Sequence, residues 1–109
     1  MALKMIEETI GKYVIVRANY AGVFAGILAE KDGDEVVLTD CRRIWFWAGA
    51  ASLSQMAVDG VLIPEKCRFA KSVNEICIAG VIEIIPTTAI AEKCIREVPV
   101  WEIKAESNE

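Results

Sequence analysis

The sequence predicts a mainly β protein with short helices, an α+β fold built as a small, strongly bent β-barrel with helical insertions. Three observations point there. Apolar residues recur with period two in several short runs, as half-buried strands require. Glycines 22, 26 and 80 stand in or beside those runs, where a strand bulges or turns sharply. An Asp-Gly step at residues 32 and 33 separates two of the runs, and that step tolerates the positive φ of a tight hairpin. At 109 residues and 12.0 kDa there is room for one core, so residues 1–104 read as a single small-barrel domain and 105–109 as a loose tail.

Taken in order, Leu3, Ile6 and Ile10 lie at helical spacing before Gly11, which predicts a short helix over 2–10. The period then changes to two. Tyr13 to Tyr20 and Val23 to Glu30 read as strands, Lys31-Asp32-Gly33-Asp34 as the turn, Glu35 to Asp40 as the returning strand and Arg42 to Trp47 as a fourth. Ser52-Leu53-Ser54-Gln55 matches a capping box, so a helix runs from Ser52 to Asp59 and stops at Gly60. Pro64 lies in the loop that follows. Phe69 to Pro86 is strand-rich and bends near Gly80. Thr87 or Thr88 caps a second helix through Arg96, with Ile90, Cys94 and Ile95 expected to face inward, and Val98 to Ile103 reads as extended.

Composition excludes several function classes. AVILMFWYC residues make up 54% and charged residues 26%, while Ser, Thr, Asn and Gln number only twelve. Such a chain is not disordered, and its shortage of neutral polar surface predicts burial against copies of itself. Its apolar runs are too short for a membrane helix. No basic stretch followed by an apolar one opens the chain, so a cytoplasmic location is expected. There is no His, which removes the commonest general base and metal ligand. Cys41, Cys67, Cys77 and Cys94 form no Cys-x-x-Cys pair, so neither a zinc site nor a redox pair is expected. The seven glycines make no phosphate-cradling loop. No acid–base pair stands out, so the chain is expected to be neither an enzyme nor a cofactor protein. A net charge of −4 opposes non-specific nucleic-acid binding.

Three stretches resemble known families, two of them the same one. Phe24-Ala25-Gly26-Ile27-Leu28, a hairpin, then Val36-Val37-Leu38-Thr39-Asp40 is similar to the first motif of Sm-like proteins, and Ile78-Ala79-Gly80 with Ile82, Ile84 and Ile85 to the second. That resemblance implies a ring of small barrels that binds RNA at its inner rim. Where the family reads a base with Asn, however, Glu35 or Asp34 stands, and the Arg of the second motif is Ala79. Carboxylates there repel phosphates, so the ring is expected to carry over and the usual RNA site is not. The segment Arg42 to Gln55, with its Arg-Arg-Ile-Trp-Phe-Trp and Ser-Leu-Ser-Gln elements, resembles a signature of small, uncharacterised bacteriophage and prophage proteins.

The same segment holds the candidate ligand site. In a strand, Arg43, Trp45 and Trp47 share one face, and Arg42, Ile44 and Phe46 the other. A guanidinium beside indoles suits an aromatic base carrying a phosphate. The start of the following helix adds Ser52, Ser54 and Gln55 as an anion-binding end. Arg42, Arg43, Trp45, Trp47, Ser52, Ser54 and Gln55 are therefore the expected ligand-binding residues. The function expected is a phage-encoded homo-oligomer that takes up a small anionic ligand, a nucleotide signal of host immunity. An Sm-like ring for single-stranded nucleic acid and a protein-binding inhibitor are the alternatives.

Overall fold

Successive antiparallel pairings carry the chain around a curved sheet. The computed structural model describes residues 7–103, with strands β1 (Tyr13–Ala18), β2 (Gly22–Asp32), β3 (Glu35–Phe46), β4 (Arg68–Phe69), β5 (Val73–Ile78) and β6 (Val81–Pro86). Helix α1 (Leu53–Asp59) follows β3, and α2 (Ala89–Glu97) follows β6. The sheet order is β4-β3-β2-β1-β6, with β5 also paired to β3. Residues 7–9 are helical. The rest of the helix expected over 2–10 lies outside the described residues, as does the tail expected at 105–109.

The bend has a local cause. A Cβ on Gly26 would collide with Cys41 Cβ and stand 2.9 Å from Cys41 Cα, so only glycine lets β2 and β3 approach this closely. The β2–β3 register shifts between Ala25 and Ile27, beside Asp40, whose φ is +48°. Instead of the two strands expected at Glu35–Asp40 and Arg42–Trp47, the chain runs as one bent strand of 12 residues. A bulge at Asp40 turns the strand without ending it. The bent half is held from outside, where Asp40 pairs with Arg96 of α2 and the Arg96 guanidinium lies 4.5 Å from the centre of the Tyr13 ring.

Curling the sheet makes two cores. Val14, Val16, Phe24, Leu28, Leu38 and Cys41 fill the inside of the barrel. Tyr13, Ile15, Ile44, Met56, Phe69 and Ile95 pack between the outer face of the sheet and the helices. Because β1 is covered on both faces, it reads as a continuous apolar run, Tyr13-Val14-Ile15-Val16, rather than an alternating one.

Capping follows the sequence closely. Ser52 Oγ accepts from Gln55 N (3.1 Å), and Gln55 Oε1 accepts from Ala51 N (2.8 Å). Gly60, at φ +79°, closes α1. Thr88 caps α2 by accepting from Ala91 N at 3.0 Å. Ala91 and Ile95 are the residues α2 buries, and Ile90, expected inside, is exposed. Residues 98–103 make no strand. They meet the sheet through a bridge between Val100 and Phe69, a bond from Trp101 N to Phe69 O and the Arg42 guanidinium, which donates to Val98 O.

Candidate functional site

The bent end of β3 delivers the aromatic segment beside the β1–β2 turn. Ala21, Gly22 and Val23 on one side and Arg43, Ile44, Trp45 and Trp47 on the other line a cleft of about 260 Å³. Three expected site residues, Arg43, Trp45 and Trp47, meet here. Arg43 Nη1 donates to Ala21 O at 2.6 Å, and its guanidinium lies 4.6 Å from the centre of the Phe24 ring. Among the described residues Arg43 makes no ion pair, so its charge is not answered by a carboxylate. Trp45 leaves 63% of its surface in solvent, a large loss of apolar burial for a residue at the cleft wall.

Trp47 differs from the expectation. β3 ends at Phe46, so Trp47 escapes the strand alternation and turns half-buried against the helix-side core. Its Nε1 donates to Ala50 O at 3.2 Å. It lines the cleft from the core side, while Trp45 offers the more open ring.

Arg42 is a correction. It is 2% exposed and faces away from the cleft, into the helix-side core. Its guanidinium donates to Ala70 O (2.9 Å), Phe69 O (3.2 Å), Ile95 O (3.1 Å) and Val98 O (2.9 Å). Those last two carbonyls belong to the C-terminal end of α2, where a cation is favoured. Burial pulls its pKa below the ordinary arginine value. With its donors committed to four carbonyls, Arg42 binds the fold and not a ligand.

Ser52, Ser54 and Gln55 are also outside the cleft lining. Ser52 and Gln55 spend their polar atoms on the cap of α1, and Ser54 is exposed. The residues that sequence reasoning missed are Ala21, Gly22 and Val23. A signal existed, since Val23 and Ile44 face each other across the β2–β3 ladder, but only the pairing register reveals it.

A larger hollow of about 410 Å³ lies between the β2–β3 hairpin and the β5–β6 turn. It gathers Glu30, Asp32 and Glu35 with Lys31, Cys77 and Ala79, and Lys31 Nζ is engaged by Gly33 O. Size and chemistry therefore disagree. The larger space is lined by carboxylates without an aromatic ring, which suits no anion, and the smaller cleft holds the cation and the indole. Among the described residues no group of three or more Cys, Asp or Glu gathers to hold a metal. Burial pushes the Cys41 and Cys67 thiols up, so both stay protonated at neutral pH.

Among the described residues no helix is long and apolar enough to cross a membrane. Comparison with known proteins adds a family and a fold. Residues 11–95 match a family model described as a domain of unknown function, DUF6948. No curated protein matches the sequence. Among solved structures, the SmAP1 heptamer of P. aerophilum is similar at 19% identity and a TM-score of 0.51, covering 79% of this chain and 92% of that one. A heptameric archaeal Sm protein is similar at 19% identity and a TM-score of 0.50, covering 78% of this chain and 98% of that one. These likenesses show the expected fold, a small bent Sm-like barrel with helical additions.

Proposed function

This chain belongs to the DUF6948 family, whose function is unknown, and from that premise we propose that it is a non-enzymatic, homo-oligomeric protein that sequesters a small nucleotide-type ligand. The single observation carrying this reading is the Arg43 guanidinium, which no carboxylate answers among the described residues, in one cleft with the open Trp45 indole. An aromatic base stacks on the indole, and a phosphate pairs with the guanidinium. The residues lining the cleft are apolar or aromatic apart from the Arg43 guanidinium, a lining that suits holding an aromatic anion.

The oligomer rests on the heptameric state of the similar Sm structures and on the apolar side chains this chain leaves exposed. The resemblance of Arg42 to Gln55 to small bacteriophage proteins supports the more specific role, a sponge that removes a nucleotide signal of host immunity in the host cytoplasm.

Native mass spectrometry before and after adding pooled linear and cyclic nucleotides tests the proposal. The expected result is a defined oligomer that gains nucleotide mass. Trp45→Ala and Arg43→Ala should each weaken retention by roughly tenfold or more, the scale of one lost stacking or charge-assisted contact. An oligomer that ignores every nucleotide overturns the reading. A salt-sensitive shift with single-stranded RNA, lost on Arg43→Ala, would instead make the cleft an RNA site. One stoichiometric protein captured through Trp45 would make it an inhibitor's contact surface.

A further inference from the structure

We propose that Tyr20 is a third aromatic of this site, held at the mouth of the cleft in a strained turn so that its ring is free to stack on the ligand; this rests on the cleft reading given above. Ala21 N donates to Asn19 O at 2.8 Å, closing a three-residue turn with Tyr20 at its centre, and Tyr20 has φ +70°. A γ-turn with positive φ at its middle residue is the rare, strained kind. Among the described residues the other non-glycine at positive φ is Asp40, a residue type that tolerates this region and whose carboxylate is bound by Arg96. Tyr20 has no such reason. Its side chain is fully exposed and makes no contact that would repay the strain. For folding alone, glycine or asparagine serves better at this position.

The turn is pinned from both sides. Asn19 N donates to Gly80 O at 2.8 Å, and Arg43 Nη1 donates to Ala21 O at 2.6 Å. The residue after Tyr20 is therefore both a wall of the cleft and an acceptor for its guanidinium. A bulky aromatic kept in an unfavourable conformation by over-determined neighbours, with its ring in solvent and its chain neighbour Ala21 in the cleft wall, is the pattern of stored strain at a binding site.

Calorimetric titration with AMP and with cyclic di-AMP, alongside melting curves and native mass, tests this. Tyr20→Gly should raise Tm by roughly 5 °C through relief of strain and weaken binding by roughly tenfold, with the oligomer unchanged. Tyr20→Asn should relieve strain likewise and lose the same affinity, and Tyr20→Phe should bind as wild type. If Tyr20→Gly and Tyr20→Asn bind as wild type while Trp45→Ala does not, the third aromatic is wrong and the cleft reading stands. If the wild type binds neither nucleotide, the cleft reading falls and takes Tyr20's role with it. Variants that lower Tm, or that break the oligomer, would make Tyr20 a structural or interface residue and overturn the proposal.

Discussion

Arg42 and Arg43 are chain neighbours with opposite fates, and the difference is set by which face of β3 each occupies. Alternation separates them in the sequence, but it does not say which face is core, because the bent sheet is covered on both sides by its own barrel interior and by the helices. Arg42→Ala would take a hydrogen bond from each of four carbonyls, of which Phe69 O keeps Trp101 N and Ile95 O keeps Val98 N, and the expected loss is about 3–5 kcal/mol, read by urea denaturation. Arg42→Lys should recover little, since one ammonium cannot serve acceptors spread over β4 and α2. Arg43→Ala should cost within about 1 kcal/mol, the range for an exposed side chain. Tyr13 gives a pH signature at the same scale. Burial pushes its phenol up to about 12, against the opposing pull of Arg96 and Arg42. Unfolded, that phenol loses its proton near 10.0, so above this value the unfolded state has released a proton that the folded state keeps. Stability should therefore fall as pH rises from about 10 to about 12, by about 2–3 kcal/mol in total. Tyr13→Phe should remove that share of the slope in denaturation curves taken across the window.

At the scale of elements, the signals that survive folding are the short-range ones. The cap of α1 was legible because Ser52, Gln55 and Gly60 act within one or two turns of each other. Ser52→Ala should cost about 1 kcal/mol and leave nucleotide affinity unchanged, which separates its capping role from the anion-binding role that the sequence also allowed. The orientation of α2 was only partly legible. Ile90, Cys94 and Ile95 fit one apolar stripe, but the helix docks through Ala91 and Ile95 against α1 and the sheet, and Ile90 rolls outward. The bend in β3 is not legible in local pattern because its cause is the meeting of Gly26 with Cys41 across the ladder, two residues fifteen positions apart in the chain. Gly26→Ala should be the most damaging single methyl in the sheet. Overpacking of this kind costs about 1–3 kcal/mol or more, and the variant should show a lower urea midpoint than wild type, with an unchanged midpoint refuting the close approach.

For the whole molecule, two strand edges decide what happens next. Among the described residues β5 pairs only with β3, and β6 only with β1, so the barrel stays open between them. Neither edge is visible in local pattern, because each is created by pairings over long stretches of chain; composition could signal an excess of apolar surface without saying where it lies. An open edge is a template for another strand. Ile82 of β6 adds an exposed apolar side chain to it, and Ile90 and Val58 lie exposed on the helices. The proposed homo-oligomer predicts that the β5 edge of one copy meets the β6 edge of the next, a head-to-tail contact that would make a ring when its rotation closes. Sedimentation equilibrium should then give one defined mass that does not grow with concentration. Ile82→Lys sets a charge on the contacting strand and should shift that mass to the monomer while the circular dichroism of the fold persists. A wild-type monomer would remove the ring. An Ile82→Lys variant that assembles as before would move the contact away from β6, to the exposed residues of α1 and α2.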